Sequence, residues 1–258
     1  MAQLTRVLSS EWTKIKTVRS TVWTLALTFL TTVVIGVLFC LLVRYLIPAG
    51  ERGVFDPTFT SFGGISMGQL AVICFGVLVV TSEYSSGMIR ASLSAVPQRG
   101  LLMGAKTLVG VGAALAVGLV TAFVSFFLGQ LVLGSELNTS IGEPGVLRAV
   151  IGAGVYLALM AALSMGVAWL LRSPMLSFGI LIPLFFLVSG ILGMIPRARD
   201  VAQFLPDQAG STIMAVGDMG EFGGIDRAYG PWGGLLIMVL WVAAALAAGY
   251  ATLKSRDA

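Results

Sequence analysis

Six stretches of this 258-residue chain are long and apolar enough to cross a bilayer, and that constraint precedes any other. A spanning helix needs about 20 mostly apolar residues, because in hydrocarbon every backbone N–H and C=O must be satisfied internally. The qualifying runs are 21–46, 62–81, 106–133, 147–171, 175–195 and 231–253. The fifth contains Pro183, which a membrane helix tolerates with a kink. Composition agrees: 57% of residues are hydrophobic and 11% charged, whereas a soluble domain carries about 25% charged residues. The expected fold is an all-α integral membrane protein with six transmembrane helices in one domain, 1–258.

Charge placement orients it. Lys and Arg favour the cytoplasmic side. With both termini inside, the inner segments hold Arg6, Lys14, Lys16, Arg19, Arg90, Arg99, Lys106, Arg172, Lys254 and Arg256. The outer segments hold Arg44, Arg52, Arg148, Arg197, Arg199 and Arg227, three of them in the long 196–230 loop, where charge weighs less. The expected topology is multi-pass with cytoplasmic N- and C-termini, which puts 82–105 in the cytoplasm and 196–230 outside. The N-terminus is not a cleaved signal peptide, since its apolar run is too long and no small-residue cleavage site follows.

Residues 4–18 instead form an amphipathic pattern. Leu4, Val7, Leu8, Trp12, Ile15 and Val18 share one arc at 100° per residue, with Arg6, Lys14 and Lys16 beside or opposite it. Such a helix rests in the membrane interface, with Trp12 at headgroup level. Glu11 falls near the centre of the apolar face. Either it is a solvated terminal-turn residue, or it pairs with Lys14 at i+3 or with a basic residue of 82–106.

Several chemistries are excluded. The chain has no histidine, so it has no Ser–His triad, histidine-ligated metal or histidine proton relay. Cys40 and Cys74 lie in apolar runs and read as small core hydrophobes. Gly64-Ile65-Ser66-Met67-Gly68 matches G-x-S-x-G without a histidine or a preceding strand, so its glycines serve helix packing. Gly100 to Thr107 approaches a P-loop but has Ala105 before the lysine and too few residues between the glycines. Lys106 there reads as a basic anchor at the inner end of the third span. Gly110-Val111-Gly112 lacks a third glycine and reads as packing. No Asp or Glu falls within the six runs, and Gln69 and Gln130 are the only amides well inside, so no ionisable relay crosses the bilayer. The basic residues sit at helix ends rather than in one patch, which excludes a nucleic-acid partner.

Three motifs, in this order on six spans, resemble the membrane subunit of an ABC exporter of the type-2 permease family. They are Ser10-Glu11-Trp12-Thr13-Lys14-Ile15-Lys16-Thr17-Val18-Arg19, then Glu83-Tyr84-Ser85-Ser86-Gly87-Met88-Ile89-Arg90 continuing to Pro97, and Phe204-Leu205-Pro206-Asp207-Gln208-Ala209-Gly210. The resemblance implies an interfacial helix over 1–20 that uses Glu11, Trp12, Lys14, Ile15 and Arg19. It implies a cytoplasmic coupling helix between spans 2 and 3, over 83–96, started by Glu83 at its positive N-terminal dipole and stopped before Pro97. That helix would meet a separate ATP-binding subunit through Glu83, Tyr84, Gly87, Met88, Ile89 and Arg90. Short outer helices between spans 5 and 6 would include Pro206, Asp207 and Gly210 and partly re-enter the membrane.

The resemblance further implies a second permease chain, identical or different, in a bacterial cell membrane. ATP and Mg would be held by the partner subunit, and this chain would bind no cofactor or metal and carry no catalytic site. Its longest loop, 196–230, is shorter than the roughly 50 residues of a small domain, so it cannot supply the ATPase. Gly- and Met-rich spans suit a lipid-like or amphiphilic cargo. The competing readings are an ATP-independent secondary transporter or channel, a non-transporting membrane sensor or scaffold, and an intramembrane enzyme.

Overall fold

The computed structural model describes residues 2–46, 56–216 and 227–255, with side chains from Leu4 onward. Residues 217–226 of the 196–230 segment, together with Arg52 and Arg256, lie outside the described residues. Among the described residues twelve α-helices follow one another: α1 (Ala2–Thr17), α2 (Arg19–Leu46), α3 (Pro57–Ser61), α4 (Ile65–Ser85), α5 (Met88–Ala95), α6 (Arg99–Leu133), α7 (Val146–Leu171), α8 (Pro174–Pro183), α9 (Ser189–Met194), α10 (Pro196–Ala202), α11 (Pro206–Ser211) and α12 (Pro231–Ser255). No strand occurs among the described residues.

Six of these are long and apolar enough to cross a membrane: α2, α4, α6, α7, the α8–α9 unit Pro174–Met194, and α12. The expected multi-pass all-α class therefore holds. Within the fifth span, Pro183 is followed by a five-residue π-helical turn, Leu184–Val188, and α9 resumes at Ser189. Proline cannot donate to the carbonyl four residues back and crowds it, and the wider turn relieves that conflict.

The spans alternate in direction, so the start of α2, the end of α4, the start of α6 and the ends of α7 and α12 share one end of the bundle. Arg99 at the start of α6 donates to the Leu253 carbonyl of α12 at 2.7 Å, which ties these elements together. α7 forms the centre, with 72% of its apolar window buried, against 28% for α2 and 22% for both α8–α9 and α12. A helix apolar on all sides belongs in such a position.

Two elements differ from the sequence expectation. α6 begins at Arg99 rather than at 106, because Leu102, Met103 and Ala105 are buried and their packing carries the helix through Gly100 and Gly104. α3 occupies a stretch that pattern alone reads as loop. Asp56 caps it by accepting from the Thr58 and Phe59 N–H groups at 2.8 and 3.0 Å, and Pro57 fills the first helical position.

The G-x-S-x-G glycines do serve close packing. A Cβ on Gly64 would lie 2.1 Å from the Thr32 carbonyl oxygen of α2, and one on Gly68 would lie 1.8 Å from Thr32 Oγ1. Gly110 packs against Met165, but Gly112 meets nothing within 4 Å and is not a packing residue. Gly64→Ala should therefore lower stability by about 1–3 kcal/mol through overpacking against backbone. Gly112→Ala should be neutral or stabilise by up to about 1 kcal/mol through helix propensity. Thermal unfolding of both variants in the same detergent checks the contrast.

Candidate functional site

Four charged side chains converge where α1, α4 and α6 meet. Lys106 lies two turns inside α6, Glu83 in the last turn of α4, and Glu11 in the middle of α1; their side chains are 2%, 3% and 4% exposed. Lys106 Nζ donates to Glu11 Oε2 and, at 2.8 Å, to Glu83 Oε1. Lys14 Nζ donates to Glu83 Oε1 at 2.6 Å and to Glu11 Oε1 at 2.7 Å. Two carboxylates thus face two ammonium groups, and the cluster is neutral as a whole.

Of the two readings open for Glu11, pairing is the one observed, with Lys14 and with Lys106 together. The protein-facing stripe of α1 is Val7–Glu11–Ile15, spaced four residues apart, so Glu11 is the centre of the contact. Leu4 and Trp12, expected on the same arc, are each 44% exposed, and Lys16 lies over the Trp12 ring at 4.8 Å. Arg19 is exposed at the start of α2. Lys106 is not an anchor at a helix end: the earlier start of α6 places it inside the helix, where only pairing makes its charge tolerable. Glu83 likewise lies in a spanning helix, so one acidic residue does fall within the six spans.

Burial pushes the Lys14 ammonium down, but the hydrogen bonds and charges of Glu11 and Glu83 outweigh it and leave it above its ordinary value. A base raised on folding contributes its stability in full below the ordinary lysine range of about 10.4. That contribution is lost only as pH rises through the raised value. The pairing is intact at neutral pH.

Beside this network the chain turns out of α4. Gly87 takes a left-handed conformation (φ 72°), which ends α4 and starts α5 in a new direction. The separate helix therefore begins at Met88, not at Glu83, and Glu83 and Tyr84 belong to the preceding span. Tyr84 is half-buried edge-on to Trp169 at 6.1 Å, with the Arg172 guanidinium 5.5 Å from its ring. Ile89 is 4% exposed and pins α5 to the core. Gly87, Met88 and Arg90 are exposed. Between α1 and α5 lies a cleft of about 800 Å³, lined on one side by Arg6, Ser10, Glu11 and Lys14 and on the other by Ser92 and Ala95.

At the opposite end Pro206, Asp207 and Gly210 are all buried, so α11 is packed in rather than extended as a loop. A Cβ on Gly210 would meet Met238 Sδ at 2.3 Å and the Tyr156 ring at 2.9 Å. The structure also connects groups that periodicity passed over. Tyr156 donates to Gln69, and Gln130 donates to the Pro57 carbonyl and Ser61 Oγ while accepting from the Thr139 N–H. Asp56 accepts from the Val216 N–H at 2.9 Å, and Arg148 donates to the Ile213 and Ala215 carbonyls. Arg44 donates to the Val132 carbonyl at 2.7 Å, at the end of α6. The Asp-Pro-Thr start of α3 is a helix-cap signature that could have revealed Asp56. Among the described residues no group of three or more Cys, Asp or Glu could hold a metal ion.

The chain matches no protein-family model and no curated protein. Its function rests on geometry.

Removing one member of a buried charge cluster leaves its partners uncompensated, at a cost of about 3–5 kcal/mol. Lys106→Met should lose that much stability in thermal unfolding. Adding Glu11→Gln leaves Lys14 and Glu83 as a balanced pair, so the double variant should be more stable than Lys106→Met alone. A double variant that loses the sum of both single losses would show that the four side chains do not act as a unit.

Proposed function

We propose that the chain is the membrane subunit of an ATP-driven exporter of the type-2 permease kind, forming the pathway and driven by a separate ATP-binding subunit. The observation that carries this reading is α5: a largely exposed helix anchored to the core by Ile89, set between a cleft and a buried charge network. Such an element suits force transfer. Its exposed side chains Met88 and Arg90 offer an apolar anchor and a charge-assisted donor to a partner, while Ile89 connects it to the core. Five residues before the start of α5, Glu83 is bonded to α1 and α6 through Lys14 and Lys106. A push on α5 would therefore reach two spans, α4 and α6, and the N-terminal helix together.

In this reading the α1 end of the bundle faces the cytoplasm, and the cleft between α1 and α5 receives the partner. Two permease chains and two ATP-binding subunits would make the working assembly, with ATP and Mg on the partner.

Ile89 and Tyr84 are poor choices for testing this, because truncating them opens the core. Met88→Ala with Arg90→Ala leaves the core untouched. That double variant should weaken binding of the ATP-binding subunit co-purified with the chain by about tenfold or more, as expected for two interface anchors at about 1 kcal/mol or more each. The measurement is affinity in detergent, wild type against variant, with thermal unfolding as the control for folding. Unchanged affinity in a folded variant would remove α5 as the coupling element. Failure of any ATP-binding subunit to co-purify, together with transport independent of ATP, would favour a secondary transporter or channel.

A further inference from the structure

At the end of the bundle away from α1, one carboxyl is buried without an opposite charge beside it. Asp207, the second residue of α11, is 7% exposed. Its Oδ2 accepts from Ser189 Oγ of α9, and that hydroxyl accepts from Gln208 Nε2 at 3.2 Å. Its Oδ1 has no hydrogen-bond partner. Among the described residues no Lys or Arg lies within ion-pair distance of it, whereas Glu11 and Glu83 each have two ammonium partners.

The surrounding elements offer no hidden compensation. α7 presents Tyr156, whose hydroxyl is committed to Gln69, and Arg148, whose guanidinium is bonded to the Ile213 and Ala215 carbonyls. The segment leading into α12 presents Tyr229, bonded to the Gln203 carbonyl, and Arg227, whose Nη1 is bonded to the Gln208 carbonyl at 2.6 Å. α9 and the 3₁₀ turn Thr212–Met214 carry no titratable side chain, and Tyr250 and Lys254 of α12 lie at its far end. α10 carries Arg197, Arg199 and Asp200, and none of them pairs with Asp207.

An ionised carboxylate in such a place would be desolvated with no cation beside it, and the Ser189 and Gln208 side chains and nearby backbone N–H groups do not fully replace its water, so the neutral acid is favoured. The neutral form keeps the Ser189 bond, because Oδ2 still accepts while the proton occupies the unpartnered Oδ1. Burial pushes the Asp207 carboxyl above the ordinary aspartate range, and the Ser189 and backbone hydrogen bonds offset this only in part.

We propose that Asp207 is a proton-binding site, holding a proton where a solvated aspartate has lost it, and that this proton keeps α11 seated against α7 and α12. The sign follows from linkage. An acid raised on folding contributes nothing adverse below its ordinary value of about 3.9. Stability then falls as pH rises from there through the raised value. Loss of the proton drives α11 out of its seat, so this end of the bundle answers to pH whichever task the bundle performs.

Hydrogen exchange of residues 206–214, in the purified protein and in Asp207→Asn, tests the proposal directly. Asn keeps the shape and the acceptor for Ser189 but cannot ionise. At about pH 8 the segment should exchange faster in the wild type than in the variant, by about tenfold for each unit by which the carboxyl is raised. At about pH 4 the two should converge. Equal ratios at both pH values, or faster exchange in the variant at pH 8, would overturn the proposal. Should the variant fail to fold, infrared spectra of the wild type decide. The folded protein should lose its protonated-carboxyl absorption at a higher pH than the unfolded chain does, and coincident titrations would overturn the assignment.

Discussion

An ammonium group buried in a membrane helix cannot remain charged unless an anion is brought to it, and Lys106 sets that requirement for the whole α1 end of the bundle. The idealised cost of stripping water from such an ion is of order 20 kcal/mol, and several kcal/mol survive relaxation. Glu11 and Glu83 both answer it, and Lys14 then balances the second carboxylate. The consequence is architectural. α1 must lie against α4 and α6 in one rotation, since a turn of 100° would carry Glu11 away from Lys106 and Lys14 away from Glu83. Val7 and Ile15 add apolar contact, but apolar contact alone tolerates sliding, and paired charges do not.

The two ends of the bundle solve the polar-burial problem differently. Near α1 it is solved with opposite charges. At the other end it is solved without ion pairs, mostly by bonds from side chains to backbone: Gln130 to Pro57 and Ser61, Asp56 to the α3 N–H groups and Val216, Arg148 to the carbonyls of Ile213 and Ala215. These bonds bind α3, α6, α7 and the segment after α11 into one closed face. Asp207 is the exception there, a carboxyl with a hydroxyl partner and no cation.

Much of this was legible in the residues. Six spans follow from apolar length alone, because the hydrocarbon sets a minimum that no soluble pattern needs. The pairing of Glu11 was visible as a carboxylate on an otherwise apolar arc. Other features were not visible, for identifiable reasons. Helix starts at Arg99 and Met88 depend on tertiary packing of Leu102 and on the left-handed Gly87, and neither leaves a periodic trace. The partners of Lys106 lie 95 and 23 residues away in sequence. Spacing reports only neighbours on the same helix, so a lysine at the margin of an apolar run looks like an anchor. The burial of Asp207 escaped because α11 is too short to show a face.

The length of α6 has a mechanical consequence. At 35 residues it measures about 52 Å, against a hydrocarbon thickness of about 30 Å. Even at an ordinary tilt of about 20° it spans close to 49 Å, so almost 20 Å must stand outside the hydrocarbon. α6 is therefore a strut as well as a span. It sets how far α5 stands off from the bilayer surface, and it makes that distance a property of the protein rather than of the lipid around it.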